Sequence, residues 1–212
     1  MTDLLVNMVG STGAGGRLLV LIHGYGADEY DLAPLAPALD PAGRYFALCP
    51  RGPINLVGAG GAAWYDRSEA GVIDGASFQA SILALSHLVD RACDDGPFEP
   101  SEVVVLGFSQ GAAMTLALGL RATTRPRPAG IACLSGMLQE PDWLVYDFAK
   151  ATVPAVYVQH GMYDPIVDIQ RGRDVRRRLR EQGIEPTYGE YPMQHEINAD
   201  SVRDLRSWLA AV

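Results

Sequence analysis

No apolar run in this sequence approaches the ~20 residues that cross a bilayer, and no N-terminal stretch joins a basic start to a long apolar core. A cytoplasmic protein without an integral membrane segment is therefore expected. Cations are outnumbered, since 17 Lys and Arg stand against 25 Asp and Glu for a formal net charge of -8. Nucleic acid is accordingly not an expected partner. The one concentration of basic residues, Arg171, Arg173, Arg176, Arg177, Arg178 and Arg180, is interrupted by acidic and apolar residues and has the pattern of a solvated helix face. Cysteine is scarce too. Cys49, Cys93 and Cys133 are odd in number, lack metal-ligand spacing and lie in apolar contexts, which points to buried free thiols in a reducing compartment. Repeats, low-complexity tracts and linkers are also missing. What is present is an ordinary globular composition, 48% hydrophobic and 20% charged over 212 residues. One domain over residues 1–212 is expected, with about 70% of the unfolded surface buried.

Strand-like apolar runs alternate with helical patterns along the chain, the signature of a mostly parallel sheet with helices on both faces. Leu4 to Val9 suggests an edge strand, Gly10 to Gly16 a turn, and Arg17 to His23 a buried strand ahead of Gly24 and Gly26. A helix is expected around Leu32 to Leu39, and a strand over Tyr45 to Cys49, stopped by Pro50. The Gly-rich segment from Arg51 to Asp74 is too long for a plain connector and is suspected of forming part of a site. Phe78, Ile82, Leu85, Val89 and Ala92 recur at helical spacing, so Gly75 to Cys93 is expected to be an amphipathic helix. Further strands are expected at Ala129 to Leu134, Pro154 to Gln159 and Tyr188 to Tyr191. Helices are marked by Val175 and Leu179, and by Val202, Leu205 and Leu209.

The run Val103-Val104-Val105-Leu106 leads into Gly107-Phe108-Ser109-Gln110-Gly111 and then a buried helical stretch. That is G-x-S-x-G between a strand and a helix, the turn that lifts a serine hydroxyl above the carboxyl edge of a parallel sheet. Side chains at 107 or 111 would strike the turn or a neighbouring strand. A serine hydroxyl needs an imidazole to take its proton and a carboxylate to fix the imidazole's tautomer. Only His160 and His195 follow Ser109. His195, between the last strand and the last helix, is the preferred base. Asp164, four residues past the strand ending at His160, is the preferred acid and Asp142 the runner-up. The backbone N–H groups of Gln110 and Tyr25 are the expected oxyanion donors. His23 is expected to brace the loop that carries Tyr25.

Leu21-Ile22-His23-Gly24-Tyr25-Gly26, Ala63-Trp64-Tyr65-Asp66, the motif around Ser109, His160-Gly161 with Asp164-Pro165-Ile166-Val167, and Met193-Gln194-His195-Glu196 occur in that order over almost the whole chain. Together they resemble the phospholipase/carboxylesterase family of α/β-hydrolases, the group that includes acyl-protein thioesterases. The resemblance implies a Ser109-His195-Asp164 triad that hydrolyses short- to medium-chain carboxylic esters, thioesters or lysophospholipids with no metal or organic cofactor. Tyr25 stands where many relatives carry Leu or another apolar residue, and only its backbone is recruited. An acyl groove is expected from Trp64, Tyr65, Phe108, Met137, Leu138, Ile166 and Val167, several of which could equally be core. Gly136 to Val153 is too short for a separate lid domain, so the site is expected to be open.

Two other readings stand beside this one. A peptidase or dienelactone-hydrolase-like enzyme on the same fold is the nearer, although the latter usually carries Cys where Ser109 stands. A non-catalytic binding protein would need a broken triad or oxyanion loop, and the sequence shows neither. A homodimer is left open.

Overall fold

The computed structural model describes residues 3–10, 16–58, 60–149 and 153–212. In chain order the strands are β1 (Val6–Val9), β2 (Arg17–Ile22), β3 (Tyr45–Pro50), β4 (Ile54–Asn55), β5 (Ala62–Ala63), β6 (Val103–Phe108), β7 (Gly130–Leu134), β8 (Ala155–Gly161) and β9 (Thr187–Tyr191). The helices are α1 (Leu35–Leu39), α2 (Gly75–Asp95), α3 (Gln110–Leu120), α4 (Ile169–Glu181) and α5 (Ala199–Ala211). Seven strands form one sheet in the order β1-β3-β2-β6-β7-β8-β9. Only β1 runs antiparallel to its neighbour; the others pair in parallel, which brings the carboxyl ends of β2, β6, β7, β8 and β9 to one edge.

Side chains of a strand alternate between faces, and the core divides accordingly. Leu18, Val20 and Ile22 of β2, with Val103 and Val105 of β6, pack toward α2, α3 and α4. Leu19 and Leu21, with Val104 and Leu106, pack toward α1 and α5. Because both faces are covered, these strands are continuously apolar. Each fully buried Leu or Val contributes about 2 kcal/mol. Helix α3 lies so deep that ten of its eleven residues are buried. Helix α2 is amphipathic, as its spacing predicts, and starts where the Asp74 carboxylate accepts from the Ser77 N–H at 2.8 Å.

The differences from expectation have local causes. The helix expected from Leu32 forms only over Leu35–Leu39. A longer one would require residue 37 to donate an N–H to Ala33, and residue 37 is proline. The segment after Arg51 contains a small hairpin, with Ile54 opposite Ala63 and Asn55 opposite Ala62, and two-residue strands leave no periodic signal. Most of the expected Gly10 to Gly16 turn, residues 11–15, lies outside the described residues.

On α4 the arginines are engaged at the surface, Arg173 with Glu190, Arg177 with Asp174, Arg178 with Glu140 and Arg180 with Glu185. All three cysteines are free; burial pushes the Cys49 thiol up to about 11 and the Cys133 thiol up to about 12. No helix among the described residues is long and apolar enough to cross a membrane.

Candidate active site

Ser109 closes β6 and caps α3 at the edge where the parallel strands end. Its φ of 54° and ψ of -113° lie in a region that side chains rarely adopt. Neighbouring elements impose this turn. The Ser109 N–H donates to the Leu134 carbonyl of β7 at 2.9 Å, and the serine's own carbonyl accepts from the Ala112 N–H at 3.1 Å. A Cβ on Gly107 would lie 2.2 Å from the Gly111 carbonyl oxygen, and one on Gly111 would lie 2.1 Å from the Ile22 carbonyl oxygen. Both glycines are thus required by close approach, as the motif implies.

Asp164 follows β8 by three residues and His195 follows β9 by four. Their two loops are zipped together, since the Met162 N–H donates to Tyr191 O at 2.7 Å and the Tyr163 N–H to Met193 O at 3.1 Å. The Asp164 carboxylate is wholly shielded. Its Oδ1 accepts from the Ile166 and Val167 N–H groups at 2.9 and 2.8 Å, and its Oδ2 lies 2.7 Å from His195 Nδ1. An ionised carboxylate only accepts, so Nδ1 carries the imidazole hydrogen and Nε2 is left with a free lone pair. The His195 side chain is 17% exposed and its ring packs on Phe108, the residue before the serine, with centroids 4.7 Å apart.

His160 lies beneath this pair. It is fully buried, with Nε2 2.8 Å from the Val167 carbonyl oxygen and 3.5 Å from Asp164 Oδ2. Its Nδ1 has no partner, and burial lowers its pKa. A neutral His160 therefore donates from Nε2 to the loop that presents Asp164, a contact that no spacing in the sequence signals. Asp142, the other acid considered, is exposed on the segment after β7.

Among the described residues, two backbone N–H groups, that of Gln110 directly after the serine and that of Tyr25 on the loop after β2, are left without a protein partner. The Gln110 amide opens α3, whose N-terminal end carries partial positive charge. The Tyr25 loop is held by His23, whose Nε2 accepts from the Gly52 N–H at 2.9 Å and whose Nδ1 donates to the Gly24 carbonyl at 2.7 Å. Burial lowers the pKa of His23, which keeps Nε2 free to accept. The Gly24 backbone comes so close to Ser109 that a Cβ there would lie 3.3 Å from Ser109 Cβ.

The residues expected to line a groove divide. Trp64 and Tyr65 are interior, at 0 and 1% exposure, and offer an acyl chain no surface. Their backbones are bonded to the Gln110 side chain, which accepts from Trp64 N at 2.7 Å and donates to Tyr65 O at 2.8 Å. Val167 is buried, Phe108, Met137 and Leu138 are half-buried, and Ile166 is exposed. Beyond Met137, the chain is pinned to the core by Leu138, Leu144, Tyr146 and Phe148. Among the described residues no group of three or more His, Cys, Asp or Glu is placed to hold a metal ion.

A parallel sheet with one antiparallel edge strand, a strained serine turn after β6, and an Asp-His pair on the loops after β8 and β9 define an α/β-hydrolase. The family model described as Phospholipase/Carboxylesterase matches residues 9–212, so the chain belongs to that family and is a carboxylic ester hydrolase. It is 26% identical over 220 residues to acyl-protein thioesterase 1 of Yarrowia lipolytica, covering 98% of this chain and 90% of that protein. It is 28% identical over 136 residues to lysophospholipase-like protein 1 of Mus musculus, a match spanning 63% of this chain and 56% of that one. Among solved structures it resembles esterase PE8, with a TM-score of 0.86, 25% identity and 100% of both chains covered.

Proposed function

We propose that residues 1–212 act as one domain that hydrolyses short- to medium-chain carboxylic esters through Ser109, His195 and Asp164, without a cofactor. The observation that carries the reading is the 2.7 Å bond from His195 Nδ1 to a shielded carboxylate, on a ring packed at a tilt against Phe108, the residue next to Ser109. It fixes the tautomer in which Nε2 accepts a proton. Among the described residues no hydrogen bond joins Ser109 Oγ to an imidazole, and substrate binding is expected to close that contact.

The reaction runs in two halves. His195 Nε2 takes the hydroxyl proton as Ser109 Oγ attacks the carbonyl, and the Tyr25 and Gln110 amides receive the developing oxyanion. The imidazolium then protonates the leaving alcohol, and an acyl-serine remains. Water then attacks the acyl carbonyl while giving a proton to His195 Nε2, the bond to Ser109 Oγ breaks as the imidazolium returns that proton to it, and the carboxylic acid leaves. Each amide donor contributes about 3 kcal/mol, roughly a hundredfold in rate, because the charge it meets exists only in the tetrahedral intermediate.

Phe108, Met137, Leu138 and Ile166 are the side chains with surface available for an acyl chain. Each methylene they cover would contribute about 0.8 kcal/mol. A thioester is the second reading, favoured by the similarity to a protein named acyl-protein thioesterase 1. Turnover of p-nitrophenyl acetate, butyrate, octanoate and laurate, beside the matching acyl thioesters and with Ser109→Ala as control, tests both. Wild type and Ser109→Ala equally inert on every substrate would end this reading.

A further inference from the structure

The two amides assigned to the oxyanion lie on different elements, Tyr25 after β2 and Gln110 at the start of α3. Nothing in either element alone sets the distance between them. One buried segment, residues 62–65, is joined to both. At its first end, the Gly26 N–H donates to Ala62 O at 2.9 Å and the Ala62 N–H donates to Ala27 O at 2.8 Å, a two-bond joint just past Tyr25. At its far end the Gln110 side chain closes a second two-bond joint, accepting from Trp64 N at 2.7 Å and donating to Tyr65 O at 2.8 Å. Between the joints, the Trp64 indole N–H donates to the His23 carbonyl at 2.9 Å, two residues ahead of the Tyr25 amide.

The segment has almost no freedom to shift. Ala62, Ala63, Trp64 and Tyr65 are all at most 1% exposed. Ser81 of α2 donates its hydroxyl to the Trp64 carbonyl, and the Trp64 ring lies 5.2 Å from that of His23. Just before it, a Cβ on Gly61 would lie 1.9 Å from the Gly26 carbonyl oxygen, so this chain runs directly against the Tyr25 loop. A primary amide is suited to the far joint. It carries an acceptor and a donor on one planar group, whereas Glu offers two acceptors and Met neither.

We propose that residues 62–65 form a strut that sets the spacing of the Tyr25 and Gln110 amides, with the Gln110 side chain and the Trp64 indole as positioning groups for oxyanion stabilisation. The inference rests on the function proposed above. Gln110 then has two roles: its backbone N–H meets the oxyanion, and its side chain ties that N–H to the loop bearing the other donor. The strut acts on the tetrahedral intermediate, so its loss falls on kcat and leaves ester binding in place.

Two variants test it. Gln110→Met keeps the side-chain length and loses both bonds of one joint; Trp64→Phe removes the indole donor and keeps both joints. Each is compared with wild type in kcat and KM on p-nitrophenyl butyrate, in thermal midpoint, and in affinity for an alkyl trifluoromethyl ketone, whose adduct with Ser109 carries an oxyanion. Gln110→Met is expected to lower kcat about tenfold or more, part of the roughly hundredfold that a lost donor costs, with KM within about twofold and the ketone weakened by the same factor as kcat. Trp64→Phe is expected to move kcat and ketone affinity together by a smaller factor, and it carries the test alone if Gln110→Met does not fold. Folded variants with wild-type kcat and ketone affinity would overturn the strut, as would a raised KM at constant kcat. A wild type inert to both ester and ketone would overturn the strut and the proposed function together.

Discussion

Asp164→Asn isolates the electrostatic part of the site while leaving its shape alone. Oδ1 of Asp164 accepts from two backbone N–H groups, so an asparagine would keep its carbonyl oxygen there and turn its NH2 toward His195. Two donors would then face each other across the present 2.7 Å contact. The imidazole escapes by moving its hydrogen to Nε2, and the atom proposed to deprotonate Ser109 no longer has a lone pair. Two contributions are lost. A carboxylate about 4 Å from the imidazolium that forms in the transition state stabilises it by about 4 kcal/mol at an effective dielectric constant near 20. The charge-assisted hydrogen bond contributes about 2 kcal/mol more. Together these correspond to roughly four powers of ten in kcat. The assay is kcat on p-nitrophenyl butyrate near neutral pH, with circular dichroism and thermal midpoint to show that the loop bonds survive. Folded Asp164→Asn within about tenfold of wild type would refute the argument that this carboxylate sets the tautomer.

Gly111→Ala places a methyl group 2.1 Å from the Ile22 carbonyl oxygen. Overpacking against backbone is expected to cost about 3 kcal/mol, read as a fall in Tm of roughly 6–12 °C, and an unchanged Tm would contradict the close approach. His23 and His160 are both held below the ordinary imidazole pKa by burial. The native protein therefore binds fewer protons than the unfolded chain below about pH 6.5, so this part of its stability is complete above that pH and is lost as the pH falls toward the native pKa values. The thermal midpoint is expected to drop between pH 7 and 5.5, above the range of ordinary carboxylates; a flat or rising midpoint would contradict neutral buried imidazoles.

The features legible in the sequence are those whose chemistry is local. Val103 to Leu106 is apolar at every position because both faces of β6 are covered, and Gly107 and Gly111 are forced by contacts within and beside one turn. The order of Ser109, Asp164 and His195 is likewise written along the chain, since each follows a strand of one parallel sheet. What could not be read depends on contacts between distant segments. Trp64 and Tyr65 occupy a loop-like, glycine-rich stretch, and only the fold shows that the Gln110 side chain and Ser81 draw them inside. His160 looked like a candidate base at the end of a strand. Its Nε2 is taken by Val167 O across a turn whose geometry no residue pattern specifies. The short α1 was legible in principle, since Pro37 alone argued against the longer helix.

The account depends on Ser109 being an activated nucleophile, and the most direct measurement is intact-mass spectrometry after exposure to an alkyl fluorophosphonate, with the adduct mapped by peptide sequencing. The account predicts one phosphonyl group per chain on Ser109, formed quickly by the wild type, far more slowly by His195→Ala and not at all by Ser109→Ala. An adduct on another residue, or labelling that is equally slow in wild type and His195→Ala, would contradict it.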